Sequence, residues 1–269
     1  VKQVTATVIE NTQILPGILH YRSGRSISGV HLLRLRCPEI AGEARPGQFV
    51  MAGCGEECTL PRPFSIHQVD GGDISLLLNV WQDGKGTPWL ARRKAGDKID
   101  LLGPLGNSYA VRPESGRLLL AAGGMGIASL RFLADEAIKR GLAVTLLYGT
   151  PTRHQYPGEL LPPGIELVAA SEDGSVGRKG LITEFLADFI DQSDQVFACG
   201  PAAMYRNMAK IPELKGKPIQ VSLEMRMGCG RGVCFGCTIK TRQGPKQVCQ
   251  DGPVFSLGDI IWEELDSSI

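Results

Sequence analysis

The sequence predicts an α+β multidomain protein: an antiparallel β-barrel over residues 1–112, an α/β domain with a parallel sheet over 113–222, and a small cysteine-bearing domain over 223–269. Three observations predict it. The first part of the chain holds short apolar runs separated by turn residues, with almost no helical periodicity. From about residue 115, apolar runs alternate with helical patterns, as they do in a parallel sheet covered by helices. Near the C-terminus Cys229, Cys234 and Cys237 stand at a four-then-two spacing and are answered by Cys249.

The strands of the first part are expected at 3–9, 30–36, 48–52, 64–68, 74–80 and 98–102, all rich in Val, Ile and Leu. Asp70-Gly71-Gly72-Asp73 is a hairpin turn signal. Six short strands suit a small barrel. Residues Leu15 to Gly29 read as a long polar loop. Arg62-Pro63-Phe64-Ser65 places an arginine, an aromatic ring and a hydroxyl at one strand start, a set that serves a flavin or simply ends a strand with a surface arginine. Gly86-Thr87-Pro88 opens a short helix. It reads as an anion site, as a capped helix with Thr87 at the N-cap and Pro88 at the first position, or as both.

In the second part, strands are expected at 117–122, 143–148, 165–170 and 195–198, and helices at 129–139, 181–189 and 202–211. Ligands of such sheets lie at the carboxyl ends of the strands. Four loops fall there: Gly123-Gly124-Met125-Gly126, Tyr148-Gly149-Thr150, Glu172-Asp173-Gly174-Ser175 and Cys199-Gly200-Pro201. The first is G-G-x-G rather than G-x-G-x-x-G, and no acid follows about 20 residues on, so it is not the ordinary dinucleotide fingerprint. A glycine turn before a helix favours a phosphate, and it equally serves a close strand–helix turn.

In the third part, the C-x4-C-x2-C…C arrangement is the one that holds a plant-type [2Fe-2S] cluster, two thiolates per iron. Gly228, Gly230, Gly232 and Gly236 let backbone pass close to the sulfides. Structural zinc and four ordinary thiols are the alternatives. Zinc prefers two short C-x2-C knuckles, and unligated thiols need neither this spacing nor these glycines.

Composition excludes some partners. Net charge is +1, with 29 Lys and Arg against 28 Asp and Glu, so neither nucleic acid nor an anionic membrane is expected. No apolar run reaches the length of a membrane span, and the N-terminus lacks a signal pattern. Eight clustered cysteines without a signal point to a reducing cytoplasm with metal-bound thiolates. Hydrophobic residues make up 43%, enough for a real core. His20, His31, His67 and His154 are scattered, and surface or loop positions are expected for them.

A barrel with Arg-Pro-Phe-Ser and Gly-Thr, then an α/β domain with Gly-Gly-x-Gly and Cys-Gly-Pro, resembles the ferredoxin–NADP reductase superfamily. The appended cysteine loop makes the chain similar to the electron transfer subunits of type B dihydroorotate dehydrogenase. Residues 222–230 (SLEMRMGCG), 248–255 (VCQDGPVF), 172–175 and Gly180 carry that likeness. The resemblance implies FAD at Arg62, Pro63, Phe64 and Ser65, along Leu77, Leu78 and Asn79, and at Gly86 and Thr87. It implies NAD over Gly123, Gly124, Gly126, Cys199, Gly200 and Pro201, and the cluster on Cys229, Cys234, Cys237 and Cys249. The chain departs from the family at Phe64, where Tyr or Ile is usual, and at Asn79, where Arg is. The 15–29 loop is longer, and Cys54 and Cys58 are extra thiols, read as unligated.

The resemblance further implies a catalytic FMN-containing partner that oxidises dihydroorotate in pyrimidine biosynthesis, joined in a heterotetramer, with electrons passing through the cluster and FAD to NAD+. A cluster carries single electrons, a nicotinamide takes a hydride, and a flavin handles both, so FAD stands between them. Hydride transfer needs proximity rather than a general base, in keeping with the absence of a catalytic triad or a carboxylate pair. The other readings are the electron subunit of a ferredoxin:NADP or sulfite reductase, a stand-alone NADH diaphorase, and a redox sensor. The last would need neither the flavin motif nor the nucleotide loop. Arg153 and Arg178 are candidates for reading a 2′-phosphate, and no ribose-binding acid is evident.

Overall fold

Alternating apolar residues build the first six strands. The computed structural model describes residues 1–20 and 24–265. β1 (Lys2–His20), β2 (Ser26–Arg36), β3 (Phe49–Ala52), β4 (Arg62–Asp70), β5 (Asp73–Trp81) and β6 (Lys98–Leu105) close into an antiparallel barrel in the order β1-β2-β5-β4-β3-β6. Every second side chain points inward, as a strand's two-residue period requires. Ala6, Val8, Leu33, Leu35, Ile66, Ile74, Leu76, Leu78, Ile99 and Leu101 fill the interior. The Asp70–Asp73 hairpin forms as expected, with Gly71 at φ +56°. Two short helices interrupt the strands: α1 (Pro38–Ala41) and α2 (Gly86–Ala91).

Two expectations fail in this half. The long polar loop at 15–29 is, over its described residues, the far half of the β1–β2 hairpin: Leu15 pairs with Val30 and Leu19 with Ile27, while residues 21–23 lie outside the described residues. Leu19, Ile27 and Val30 are buried, whereas the glycines and polar residues that suggested a loop sit at bulges or outward positions. Thr87 is not a helix N-cap either. Lys85 occupies the cap position with no side-chain bond, and the Thr87 hydroxyl oxygen accepts the Trp81 N–H at 3.1 Å.

The alternating half gives six parallel strands: β7 (Arg117–Gly123), β8 (Ala143–Thr150), β9 (Glu166–Ser171), β10 (Arg178–Lys179), β11 (Gln195–Cys199) and β12 (Ile219–Ser222). Helix α3 (Ile127–Lys139) packs on the face formed by Leu118, Leu120 and Ala122. The opposite face, Leu119 and Ala121, meets α4 (Ile182–Phe185), α5 (Ala187–Ile190) and α6 (Ala202–Met208). The single helix expected at 181–189 is thus two short ones, and the one expected to reach 211 stops at Met208.

The cysteine-bearing segment is fused to both other parts. β13 (Thr238–Thr241) and β14 (Gly244–Gln247) form a hairpin, while β15 (Val254–Ser256) joins the large sheet antiparallel to β12. One continuous core runs from Phe49, Met51 and Leu105 of the barrel, through Cys237, Ile239, Val248 and Trp262, to Ala198 and Val221 of the sheet. Asn107, just past the barrel, clamps this segment. Its side-chain amide donates to the carbonyls of Asp251 (2.9 Å) and Val254 (2.8 Å), and its Oδ1 accepts the Val254 N–H at 2.9 Å.

Helix α3 is the joint between barrel and sheet. Phe132 packs into the barrel cluster, and the Gln68 amide donates to Asp135 at 3.0 Å. His67 is 1% exposed, with Nδ1 3.4 Å from the Ala128 carbonyl, and His31 lies half-buried on β2 beside Asn11. Neither histidine is on a surface loop, contrary to expectation, because β4 and β2 carry them into contacts between elements. Burial pushes the His67 imidazole down to about 4, helped by the charge on Arg131. A depressed folded-state value means that the unfolded chain binds the proton first as pH falls below about 6.5. Between pH 7 and 5, wild type should therefore lose about 2 kcal/mol of stability that a His67→Gln variant does not lose. Urea midpoints at the two pH values measure the difference.

Candidate functional site

The carboxyl ends of β7 and β11 lie side by side, with Ala122 level with Cys199. This brings Gly123, Gly124 and Gly126 against Cys199, Gly200 and Pro201. A Cβ at Gly123 would press on Pro201 and Met204, and one at Gly200 would lie 3.2 Å from the Gly123 Cα. A Cβ at Gly126 would run into the Cys199 carbonyl. The two loops therefore meet backbone to backbone, and this close packing is what the glycines serve. Beneath them the Gly200 N–H donates to the Tyr205 hydroxyl at 2.9 Å, which donates to the Ser222 carbonyl at 2.6 Å. The Tyr109 and Ser129 hydroxyls share a 3.1 Å bond.

Glu224 belongs to this site and was not singled out from the sequence. It keeps accessible surface, yet protein crowds it closely enough that desolvation raises its carboxyl pKa. Burial, then the charge on Glu224, push the Cys199 thiol up. A lone carboxylate ahead of the cysteine loop was the available signal; nothing in its neighbours marked it as facing Cys199.

On the barrel, β4 carries Arg62, Pro63, Phe64 and Ser65 opposite Ala52, Met51, Val50 and Phe49 of β3. Arg62 meets the start of α2: a Cβ on Gly86 would lie 3.3 Å from the Arg62 Cγ and 3.2 Å from the Cys54 Sγ. The Arg62 stem and the buried Gly86 thus line one corner; Nη1 of the guanidinium donates to the Leu60 carbonyl at 2.7 Å, and its other N–H groups suit a phosphate oxygen. Leu77, Leu78 and Asn79 lie level with Leu32, His31 and Val30. The Leu78 side chain fills the barrel interior, so only its main chain is available to a cofactor, while Leu77 lies on the outer face toward the sheet. Burial holds the Cys54 thiol up at about 11.

Backbone N–H groups of the cysteine loop point at three of its four sulfurs. Arg231 and Cys234 N–H each lie 3.4 Å from Cys229 Sγ, Gly232 N–H lies 3.1 Å from Cys249 Sγ, and Cys249 N–H lies 3.4 Å from Cys237 Sγ. These bonds, the Arg231 N–H first, pull the Cys229 thiol down to about 6. Burial raises Cys249 to about 12, so that thiol needs the charge of a bound metal to ionise. Backbone N–H groups aimed at the sulfurs and the four-then-two cysteine spacing suit a two-iron core held by four thiolates.

The loop is half sunk. Cys237 and Cys249 are buried, and Cys234 is exposed. Gly230, at φ +67°, lies on the barrel, where a Cβ would meet Met51 and Leu105. Met51 is the strand partner of Pro63, so the cysteine loop and the Arg-Pro-Phe-Ser segment are separated by a single strand. Around Cys234 stand Val233 (73% exposed), Phe235 (67%) and, from the barrel, Leu60 (51%). Phe235, at φ +58°, is the one non-glycine residue with positive φ among those described. Exposed apolar side chains grouped in this way mark a contact surface.

A closed barrel followed by a parallel sheet with glycine loops at its carboxyl edge defines a reductase of the ferredoxin–NADP reductase type, here with an iron–sulfur domain attached. A solved NADH-dependent reduced ferredoxin-NADP oxidoreductase has this fold, with a TM-score of 0.81 at 29% identity, covering 97% of this chain and 91% of its own. Residues 224–261 match the iron-sulfur cluster binding domain of dihydroorotate dehydrogenase B. The electron transfer subunit of dihydroorotate dehydrogenase B (NAD(+)) from Desulforamulus reducens is 35% identical over 87% of this chain and 93% of its own length. Its counterpart from Clostridium acetobutylicum is 37% identical over 81% and 87%. The chain belongs to this family of electron transfer subunits and is an oxidoreductase subunit.

A Gly126→Ala variant must move the Cys199 main chain, not a flexible side chain. It should cost about 3 kcal/mol and lower the affinity for a nicotinamide nucleotide, read by thermal melting and by nucleotide titration.

Proposed function

We propose that this chain passes electrons from a catalytic, FMN-containing subunit that oxidises dihydroorotate to NAD+, by way of a [2Fe-2S] cluster and FAD, in a cytoplasmic heterotetramer. The observation that carries the proposal is the seating of Gly230 on Met51, one strand from Pro63, which brings the thiolate loop beside the flavin segment. FAD, when bound, exchanges single electrons with a cluster and a hydride with a nicotinamide. The relatives at 35–37% identity favour dihydroorotate as the ultimate donor over the ferredoxin chemistry named for the solved structure at 29%.

The residues divide the work by chemistry. Arg62 would pair with the pyrophosphate of FAD beside Gly86, Ser65 would bond the ring edge, and Pro63 and Phe64 would pack along it. Thr87 is engaged with the Trp81 N–H through its oxygen, leaving its hydroxyl proton for a phosphate. Leu77, Leu78 and Asn79 would border the cofactor. Gly123, Gly124, Gly126, Cys199, Gly200 and Pro201 would admit the nicotinamide nucleotide against bare backbone. Cys229, Cys234, Cys237 and Cys249 would hold the cluster, and the backbone N–H groups on the sulfurs of Cys229, Cys237 and Cys249 would favour its reduced, more negative state. The exposed rim of Val233, Phe235 and Leu60 would dock the catalytic subunit. Among the described residues no helix is long and apolar enough to cross a membrane.

The anaerobic absorption spectrum before and after NADH tests the reading. Flavin and iron–sulfur bands should both bleach; protein that takes up neither group on reconstitution would overturn it. In the assembled complex, Cys234→Ser should cut dihydroorotate-driven NADH formation by roughly a hundredfold while NADH oxidation by an artificial acceptor at the flavin stays within about twofold. Arg62→Ala removes a charged hydrogen-bond donor and should weaken FAD retention by about tenfold or more, measured as flavin released on gel filtration.

A further inference from the structure

Two thiols outside the cysteine loop take no part in the electron path. Cys54 and Cys58 lie between β3 and β4, and both are free. The Cys58 N–H donates to the Gly55 carbonyl at 3.1 Å, so a tight turn follows Cys54 at once and brings the chain back at Cys58. Cys54 belongs to the buried barrel cluster, and Cys58, half-buried, packs against the same cluster. The two thiols therefore lie on one side of the turn. Burial first, then the nearby Cys58, push the Cys54 thiol up, while the Arg62 charge draws it down.

This turn is seated on α2. Gly55, at φ +83°, lies on the Trp89 indole, which a Cβ there would strike. The Cys54 Sγ rests beside Gly86, 3.2 Å from the place of a Cβ, and the Arg62 Cγ comes within 3.3 Å of the same point. Thiol, helix start and arginine thus meet at one corner. Cys58 is open to solvent and Cys54 is not, so an oxidant meets Cys58 first. Glu56 and Glu57, exposed in the turn, repel an anionic disulfide such as oxidised glutathione, whereas neutral hydrogen peroxide passes. The Cys58 thiolate attacks one peroxide oxygen, the O–O bond breaks, and hydroxide leaves to become water, with a sulfenic acid left on Cys58. The Cys54 sulfur then gives up its proton, attacks the Cys58 Sγ and expels the hydroxyl as a second water. Two thiols lose two electrons, and one peroxide takes them.

We propose that Cys54 and Cys58 form a reversible disulfide with hydrogen peroxide, and that closing it loosens the phosphate corner at Gly86 and Arg62. The second half rests on the flavin reading above. A disulfide needs its sulfurs about 2.05 Å apart and its Cβ atoms about 3.8 Å apart. Drawing Cys54 toward Cys58 takes its sulfur off Gly86, and Gly55, set on Trp89, carries the pull into α2.

The test treats FAD-loaded protein with a small excess of hydrogen peroxide, blocks the remaining thiols with N-ethylmaleimide and maps the peptides by mass. Wild type should show Cys54 joined to Cys58, lighter by two hydrogens and unlabelled, and dithiothreitol should restore both thiols. FAD released on gel filtration should rise roughly fivefold with the link and fall back after dithiothreitol. Cys58→Ser should keep its FAD through the same treatment. Cys58 ending as a sulfinic acid with Cys54 still labelled would overturn the disulfide. A link that releases no FAD would overturn the control of the corner. Equal release from Cys58→Ser would do the same and assign the loss to the cluster. Reduced wild type that takes up no FAD would overturn the flavin reading and the control with it, while the link is still judged by mass alone.

Discussion

The cysteine loop reaches the barrel because residue 230 has no side chain. A Cβ there would strike Met51 and Leu105, and the left-handed backbone at that point suits glycine alone. Everything that makes the chain an electron carrier depends on this approach. Lift the loop by one side chain, and the sulfurs of Cys237 and Cys249 leave the shared core, while the loop no longer rests on β3, whose Met51 pairs with Pro63 of β4. Electron tunnelling falls off steeply with separation, so the packing of one glycine on one methionine governs a rate as well as a fold.

A second constraint is the joint at α3. Its first turn follows the glycine loop, its middle sends Phe132 into the barrel cluster, and Asp135 is held by Gln68 and Arg131 together. The helix therefore belongs to both domains. His67 completes the joint from the barrel side, two residues past Ser65, so the strand of Arg62–Ser65 and the glycine loop are registered to one another through packed contacts that include one largely buried ion pair, Arg131–Asp135. An interface of this kind keeps the two segments at constant spacing better than one made of exposed ion pairs, which salt would loosen.

Signals that are local in sequence were legible; those that arise only when distant segments meet were not. The cysteine spacing, the Asp70–Asp73 hairpin and the glycine turn after residue 122 each depend on a few neighbouring residues, and each was readable. The fold class followed from periodicity. The hairpin through 15–29 was missed because bulges break its alternation and its apolar face becomes apparent only against Leu77 and the sheet. The N-cap reading of Thr87 failed because the partner that claims its oxygen, Trp81, lies in the preceding strand. Asn107 lies far in sequence from the tail that it clamps, and only the contact itself reveals its role. Glu224 lies in the legible stretch before the cysteine loop, but its role beside Cys199 was not legible, since Cys199 arrives from the end of another strand.

The strand at 254–256 has a consequence for biogenesis. Translation delivers β12 well before β15, so during that interval the Ile219–Ser222 edge stands open on the side that β15 later covers. An open edge of apolar residues invites pairing with other chains. The thiolate loop lies between the two strands in the sequence, so the ribosome releases the ligands of the metal before the segment that seals the sheet. Assembly of the thiolate loop and closure of the sheet edge thus fall in the same window of synthesis.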